Sequence, residues 1–337
     1  MTNRQILLTS RPAGEATSAD FTLVERPVPE LADGQVLVQH LYLSLDPYMR
    51  GRMNDAKSYA PPQPLNAVMI GGTAGVVVAS RHPGFAPGDN VVGMGGWQLY
   101  SVVDGAARGA LRKVDTSRVP LTAYLGAVGM PGVTAWYGLT RICQAKPGQT
   151  IAVSAASGAV GSVVGQLAKA RGCRAVGIAG GTAKCDHVVT ELGFDACIDY
   201  TRHADPKALY GALKAATPDG IDGLFENVGG ALLDAALARM NDFGRIALCG
   251  MIAGYDGRPI PLANPSLILT CRLHVEGFII SEHMDVWPEA LAELGKMVAT
   301  GALKYRETIA TGLESAPEAF LGLLKGRNFG KQLVQLA

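Results

Sequence analysis

A glycine-rich stretch at residues 154–161 has the residue types and the spacing that bind a dinucleotide. It reads Ser-Ala-Ala-Ser-Gly-Ala-Val-Gly and follows the apolar run 151–153. At such a strand–turn–helix corner, Gly158 would let the backbone approach a pyrophosphate, and Gly161 would let helix and strand pack closely. N–H groups of the first helical turn, expected from Gly158 onward, would face the phosphate charge. The alternative is a tight corner without a ligand, but the flanking strand and helix favour a dinucleotide site.

The next predicted strand indicates which dinucleotide binds. It ends in Ile-Ala-Gly-Gly-Thr at 178–182, where NAD-binding proteins usually carry an acid that accepts from the ribose 2′-hydroxyl. No acid stands in this stretch, and Lys184 opens the next helix. A carboxylate repels a 2′-phosphate, whereas a lysine attracts it. We therefore predict NADPH; the alternative is that Lys184 is a solvated surface lysine.

The histidines and cysteines have no spacing typical of a catalytic zinc site. Zinc-dependent dehydrogenases bind the ion through thiolate and imidazole groups, and they often carry a four-cysteine lobe. The six histidines form no HxxxH pattern, the six cysteines form no CxxC pair, and no cysteine precedes Cys143. We therefore predict chemistry without a metal, and reduced thiols in a cytoplasmic protein.

Two patterns of secondary structure are expected to position these groups. Short β-branched runs bounded by Gly and Pro, such as 35–41, 71–79 and 89–93, predict a small barrel or distorted sandwich in the first third. From about Lys146, apolar strands alternate with helices, which predicts an α/β fold with a doubly wound parallel (Rossmann) sheet. The last strand, Lys331–Gln335, should rejoin the first domain and make it discontinuous.

Length and charge restrict the class of protein and its partners. A chain of 337 residues with 48% hydrophobic and 18% charged residues is typical of a well-buried globular protein with two domains. The formal net charge of +1 offers no basic surface for nucleic acid or for a membrane. No apolar run reaches the roughly 18 residues that span a bilayer, and the first residues do not resemble a signal sequence.

Three further stretches are similar to signatures of one family. They read Leu-Ser-Leu-Asp-Pro-Tyr-Met-Arg-Gly-Arg-Met at 43–53, Phe-Glu-Asn-Val-Gly-Gly at 225–230 and Asn-Phe-Gly-Lys at 328–331. The chain resembles the zinc-independent medium-chain dehydrogenases/reductases that include the prostaglandin reductases, the plant alkenal double-bond reductases and the bacterial NADPH-dependent curcumin reductases. The similarity covers nearly the whole chain and is strongest to the curcumin reductases. It implies a GroES-like β-barrel catalytic domain at 1–123 and 304–337, and a Rossmann NADPH domain at 124–303.

The resemblance also implies which residues hold NADPH. The pyrophosphate loop is matched by Gly158, Ala159, Val160 and Gly161, and the 2′-phosphate site by Lys184 and Tyr200. The ribose contact is matched by Asn227, and the closing C-terminal segment by Asn328. The contacts to the nicotinamide half are matched by Cys249, Gly250, Met251, Ile252, Tyr255, Phe278, Ile279 and Ile280. Many relatives carry Gly-Ser before the lysine, so here one hydroxyl contact to the 2′-phosphate is either lost or supplied by Thr182. The alternatives are that Asn227 caps a strand end, that Tyr200 packs on the surface, and that Cys249 is a small buried residue.

Without a metal, the reaction must suit a hydride donor acting alone. A conjugated enone or enal accepts hydride at its β-carbon because the negative charge spreads onto the carbonyl oxygen, which the protein must then stabilise. A neutral tyrosine can donate there at pH 7. We name Tyr255 and Tyr48, which are expected to face each other across a cleft; alternatively, either tyrosine only lines an apolar pocket. Water or a ribose hydroxyl could deliver the proton to the α-carbon.

The predicted function is therefore NADPH-dependent reduction of the C=C bond of hydrophobic α,β-unsaturated ketones and aldehydes. One alternative is a quinone reductase on the same scaffold. The other is a dinucleotide-binding protein without turnover that has a structural or RNA-associated role. The neutral charge and the lack of a basic stretch interleaved with aromatic residues argue against RNA. A homodimer is the family expectation, with 272–278 as an edge strand that could pair with its twofold mate.

Overall fold

The computed structural model describes residues 1–107, 109–203 and 205–336, and the chain divides into two compact units. We call Met1–Leu125 together with Glu307–Ala337 the terminal unit, and Gly126–Arg306 the central unit. The boundaries expected from the sequence, 123/124 and 303/304, fall a few residues before these.

Strands dominate the terminal unit, and its segments lie at both ends of the chain. Its first segment contains β1 (Thr2–Leu8), β2 (Phe21–Pro27), β3 (Gln35–Ser44), α1 (Tyr48–Arg52), β4 (Ala67–Val68), β5 (Thr73–Ser80), β6 (Asn90–Gly93), β7 (Tyr100–Asp104) and β8 (Leu111–Lys113).

Strands and helices alternate through the central unit. In chain order these are α2 (Met130–Tyr137), β9 (Thr150–Ser154), α3 (Gly161–Ala170), β10 (Arg174–Ala179), α4 (Thr182–Thr190), β11 (Ala196–Asp199), α5 (Pro206–Ala216), β12 (Ile221–Glu226), α6 (Ala231–Leu237), β13 (Met240–Leu248), α7 (Ser266–Thr270), β14 (His274–Gly277) and α8 (Trp287–Ala299). The chain then returns to the terminal unit with β15 (Glu307–Thr311), α9 (Ala316–Leu324) and β16 (Lys331–Gln335).

Shorter helical turns connect these elements. A π-helix, Gly138–Cys143, continues α2, and 3₁₀ helices lie at Ser18–Asp20, Leu121–Leu125, Tyr200–Arg202, Ile252–Gly254, Ile280–Glu282, Met284–Val286 and Leu313–Ser315.

The terminal unit consists mainly of antiparallel sheet around an aromatic core. One sheet has the order β2-β1-β4, and the other has the order β15-β16-β3-β5-β6-β8, with β7 also pairing with β3. The returning strand β16 pairs with β3 in the register Leu333↔Ser44. In the core, the Trp97 ring stacks on Phe21 with centroids 5.3 Å apart and meets Phe320 edge-on at 5.7 Å. The last strand therefore completes a sheet that the first hundred residues begin.

The central unit has the parallel α/β sheet that the sequence predicts. Its strand order is β11-β10-β9-β12-β13-β14, and every neighbouring pair is parallel. Apolar residues of β9 and β12, Ile151, Val153 and Phe225 among them, are fully buried because helices cover both faces. The predicted fold class, a doubly wound sheet with a second β domain, is thus confirmed. No described helix has the length and apolarity that crossing a membrane requires.

One strand is longer than the sequence predicts. We expected the fifth strand of this sheet at 245–248, whereas β13 begins at Met240. Its first half contains the polar residues Asn241 and Asp242 and has φ of +63° at Phe243, so it lacks the alternation that marks a strand.

Candidate functional site

The glycine corner lies between β9 and α3, where the backbone turns tightly. Ala155 has φ of +50°, and the Gly158 N–H donates to its carbonyl oxygen at 2.9 Å. Because this turn extends past Gly158, α3 begins at Gly161 and not at Gly158 as we expected. A Cβ on Gly161 would lie 2.4 Å from the carbonyl oxygen of Ala155 and 3.0 Å from Cα of Ala156. These contacts are with backbone, so only glycine fits there.

A second corner, between β10 and α4, brings Tyr200 beside Gly180. A Cβ on Gly180 would lie 2.9 Å from the Tyr200 hydroxyl oxygen and 3.1 Å from its Cζ. The absence of a side chain at Gly180 therefore makes room for the tyrosine, which is 43% exposed. Lys184 lies in the first turn of α4 after the same corner, and partial burial lowers the pKa of its ammonium group. The corner thus brings a lysine and a phenol together, which are groups that suit a phosphate.

A carboxylate that the sequence analysis overlooked also lies at this corner. Asp199 ends β11, the strand beside β10, and accepts from the Gly181 N–H at 2.8 Å and from the Thr182 hydroxyl at 3.2 Å. Partial burial opposes ionisation, but these donors and Thr201 hold the pKa of Asp199 below its ordinary value. No acid stands at 178–182, the only stretch from which the corner was predicted, and Asp199 was therefore not included. Thr182, the candidate for a missing 2′-phosphate contact, donates its hydroxyl to Asp199 in this structure, and its role toward a 2′-phosphate stays a prediction.

The ends of β9 and β12 are connected by a polar cluster around Ser154. The Ser154 hydroxyl donates to Oε1 of Glu226 at 2.9 Å and accepts from the Asn227 N–H at 2.8 Å. The Asn227 side-chain amide donates to the Ser154 carbonyl oxygen, also at 2.8 Å. This amide therefore caps a strand end, as the alternative for Asn227 supposed. Its role toward a ribose stays a prediction.

Glu226 is a buried acid that the sequence analysis did not single out. Its Oε1 also accepts from the N–H groups of Val228 at 2.6 Å and Gly229 at 2.7 Å. Its side chain is fully buried, and this burial raises its pKa even though the surrounding hydrogen-bond donors oppose the shift. Within the described chain, Oε2 has no hydrogen-bond partner. Glu226 thus fixes the loop after β12 by accepting from its backbone.

A cavity of about 380 Å³ lies after the ends of β13 and β14. Six residues predicted at the nicotinamide half line it together with Leu248, Gly277 and Glu282: Cys249, Gly250, Met251, Tyr255, Phe278 and Ile279. The Ile252–Gly254 turn carries Tyr255, whose hydroxyl oxygen would be 3.4 Å from a Cβ built on Gly250. Burial raises the pKa of the Cys249 thiol to about 12, so the thiol stays protonated at neutral pH. Ile252 and Ile280 adjoin these residues along the chain.

The other two predicted site residues belong to the terminal unit. Tyr48 begins α1, and burial raises its pKa, which keeps the phenol protonated. The Asn328 side-chain amide donates to the carbonyl oxygen of Gly330 at 2.7 Å and lines a cavity of about 320 Å³ that also includes Gln332. The expectation that Tyr48 and Tyr255 face each other across a cleft stays a prediction.

The clusters of the central unit share one edge of its sheet. Ser154, Ala179, Glu226, Leu248 and Gly277 end their strands, and because all pairs are parallel these ends lie on the same side. Ligands of open α/β sheets bind outside the carboxyl ends of the strands. Across the residues that the structure describes, no group of three or more His, Cys, Asp or Glu could hold a metal ion. The fold and the glycine corner therefore define a dinucleotide-binding α/β protein.

Comparison with known proteins identifies the family. Residues 4–111 match the family model for the N-terminal domain of oxidoreductases, and residues 159–296 match the model described as zinc-binding dehydrogenase. The chain is 44% identical to the NADPH-dependent curcumin reductase of Escherichia coli, over 99% of this chain and 97% of that protein. It is 41% identical to the NADP⁺-dependent 2-alkenal reductase of Nicotiana tabacum, over 100% of this chain and 98% of that protein.

A solved relative extends the similarity to the fold. The crystal structure of CurA from Vibrio vulnificus in complex with NADPH covers 99% of both chains at 44% identity, with a TM-score of 0.92. The chain belongs to the medium-chain dehydrogenase/reductase family that contains the curcumin, alkenal and prostaglandin reductases. The family predicted from the sequence motifs is confirmed.

Proposed function

We propose that this protein reduces the C=C bond of α,β-unsaturated ketones and aldehydes, hydrophobic enones of the curcumin type included. Its family makes it an NADP-dependent oxidoreductase that catalyses double-bond reduction, with NADPH as its cofactor. The observation that carries the finer proposal is the cavity after β13 and β14, which is lined mainly by apolar residues, with one phenol, Tyr255, and one carboxylate, Glu282. The phenol offers a carbonyl oxygen a donor in surroundings that are mainly apolar.

The residues present fit this cofactor. Gly161 permits the tight turn after β9, Gly180 leaves room for Tyr200, and Lys184 supplies a cation near the second corner. NADPH, when bound, supplies the hydride. We propose that Lys184 and Tyr200 hold the 2′-phosphate, that the first turn of α3 faces the pyrophosphate, and that the Tyr255 hydroxyl donates to the substrate carbonyl oxygen as negative charge develops there.

Loss of NADPH absorbance with a panel of acceptors tests the proposal. The panel contains an aliphatic enone, an enal, curcumin and a quinone, each assayed with NADPH and with NADH, and the products are identified by mass spectrometry. We expect turnover of the enone, enal or curcumin to the saturated carbonyl compound with NADPH. Turnover of the quinone alone would establish the quinone-reductase alternative, and no turnover of any acceptor would favour a non-catalytic protein.

Replacing Lys184 by alanine should raise the Kd for NADPH by about 10- to 100-fold and leave the Kd for NADH nearly unchanged. The reason is that charge-assisted hydrogen bonds to a phosphate contribute about 1.5–3 kcal/mol. NADPH fluorescence titration measures both constants. Lys214→Ala removes an exposed lysine from α5 of the same unit and is the matched control. Equal losses for the two cofactors would contradict the assignment of Lys184.

Replacing Tyr255 by phenylalanine should lower kcat by about 10- to 100-fold with the KM for NADPH nearly unchanged, because one donor to a developing oxyanion is lost. Residual activity is expected, since water or a ribose hydroxyl can still supply the proton. Steady-state kinetics with an enone separate the two parameters, and Tyr210→Phe on α5 serves as control. An unchanged kcat would assign Tyr255 to the cavity wall alone.

We also propose that the protein is a cytoplasmic homodimer in which the terminal unit is the substrate domain and the central unit is the NADPH domain. Strand β14 pairs with β13 on one side and ends the strand order of its sheet. Leu269, Phe243 and Val275 nearby are 79%, 68% and 37% exposed. These features suit pairing of two β14 strands. Light scattering that gives the monomer mass of 35.2 kDa would contradict the dimer.

A further inference from the structure

Two cysteines of the central unit are in direct contact beside the second corner. Sγ of Cys197, on β11, lies 2.8 Å from Sγ of Cys185, in the first turn of α4. Both are free thiols. A disulfide has an S–S distance of about 2.05 Å, so a bond requires the sulfurs to approach by less than about 1 Å. By contrast, Cys143 and Cys173 each direct their S–H toward a backbone carbonyl oxygen.

The surroundings give the two sulfurs different roles. The S–H of Cys197 donates to the sulfur of Cys185, and this hydrogen bond lowers the pKa of Cys185 while burial and the nearby Asp199 and Asp186 oppose it. The same interaction, together with burial, raises the pKa of Cys197. N–H groups at the start of α4 further favour a thiolate at Cys185. Cys185 is therefore the thiol that attacks an oxidant, and Cys197 is the resolving thiol that then attacks the oxidised Cys185.

The pair lies next to residues of the proposed 2′-phosphate site. Lys184 precedes Cys185 in α4, and Cys197 is followed by Asp199 at the end of β11 and by Tyr200 directly after it. A covalent bond between the sulfurs would join these two elements directly. Because the sulfurs must first approach each other, the bond would also shift Lys184 relative to Tyr200.

We propose that Cys185 and Cys197 form a reversible disulfide that lowers the affinity for NADPH, with a hydroperoxide as oxidant. The Cys185 thiolate attacks one peroxide oxygen, the O–O bond breaks, and the released hydroxide or alkoxide takes a proton and leaves as water or an alcohol, respectively. Cys197 then attacks the Cys185 sulfenic acid, the S–S bond forms, the S–O bond breaks, and a water leaves. Two electrons pass from the sulfurs to the peroxide, and a dithiol restores both thiols.

Peptide mapping of the full-length enzyme tests the disulfide. The Cys271→Ser variant, which removes a partly exposed thiol, is treated with one equivalent of hydrogen peroxide, alkylated and digested without reductant by a protease that cleaves after Glu191. We expect the mass to fall by two hydrogens and the Cys185 and Cys197 peptides to be linked until dithiothreitol separates them. Adding Cys197→Ser should instead leave a sulfenic acid on Cys185 that dimedone traps. Alkylation of both thiols after peroxide treatment, or linkage through another cysteine, would overturn the proposal.

Cofactor titration tests the effect on affinity, which rests on the proposed function. Oxidation should raise the Kd for NADPH by about 5-fold or more, with the Kd for NADH unchanged and full reversal by dithiothreitol. The Cys197→Ser variant should show no such change. An unaltered Kd in protein proven to carry the disulfide would overturn control of NADPH binding. Failure of the proposed function is distinguishable, because it would appear as absent enone turnover in the untreated, reduced enzyme.

Discussion

Replacing Lys331 by methionine should destabilise the terminal unit by about 3–5 kcal/mol, because it leaves the carboxylate of Asp46 buried without its cation. Nζ of Lys331 donates to Oδ1 of Asp46 at 2.7 Å and to the carbonyl oxygen of Leu45 at 2.7 Å. The two side chains are only 4% and 8% exposed. Urea denaturation measures the loss in the free energy of unfolding, and calorimetry measures the change in Tm. Unfolding should occur roughly 10 °C below that of the wild type, given the usual dependence of Tm on stability.

Two matched variants separate this explanation from a general effect of losing a lysine. Lys325 pairs with Glu15 at 3.2 Å on the surface of the same unit, and Lys325→Met should cost about 1 kcal/mol or less. Adding Asp46→Asn to Lys331→Met removes the unpaired charge and should recover much of the stability. If Lys331→Met and Lys325→Met had equal effects, the buried pair would contribute no more than a surface pair.

Replacing Glu226 by alanine should also reduce stability by several kcal/mol, and it should weaken NADPH binding. The Ser154 hydroxyl and the N–H groups of Val228 and Gly229 would all lose their acceptor, at about 1–3 kcal/mol for each buried donor. The loop that begins at Asn227 would lose its fixed geometry. This loop lies against the cavity, because a Cβ built on Gly250, which lines the cavity, would be only 3.2 Å from the Asn227 carbonyl oxygen. Chemical denaturation and NADPH titration measure the two effects.

Replacing Glu226 by glutamine keeps an acceptor oxygen and tests the role of the charge. Burial raises the pKa of Glu226 above its ordinary value of 4.5 in the folded protein. The contribution to stability is therefore fully present below pH 4.5 and is lost as the pH rises through the folded pKa. The stability of Glu226→Gln relative to the wild type should thus increase from pH 4.5 upward. A difference independent of pH would show that Glu226 has the same protonation state in the folded and unfolded chains.

The sequence predicted the central sheet well because its inner strands contain contiguous apolar runs. The strands at 174–179 and 196–199 and the helix after each are visible without tertiary information, since burial on both faces demands apolar residues. The first half of β13 was not visible, because Asn241 and Asp242 interrupt the pattern. The pairing of β16 with β3 depends on residues about 290 positions apart, and a local pattern does not specify such a partner.

Within the site, the sequence predicted single residues better than the contacts among them. Gly161 follows from a motif of fixed spacing, and its close contact with Ala155 is a local property of the turn. Asp199 and Glu226 were missed because each accepts from a residue of a different element, Gly181 before α4 in one case and Ser154 on β9 in the other. Ser154 and Glu226, for example, are 72 positions apart and meet only because β9 and β12 are neighbours. An acid at the end of an apolar strand was the one signal that both residues gave.

The discontinuity of the terminal unit has a consequence for synthesis on the ribosome. The whole central unit emerges before β15 and β16, so its sheet has every strand while the nascent chain is still incomplete. Until then β3 has an open edge at Tyr42–Ser44, and Asp46 has no Lys331 to pair with. We therefore expect the central unit to fold first. The first segment of the terminal unit completes its folding only after β15 and β16 have been synthesised. Translation and folding thus proceed in different orders along this chain.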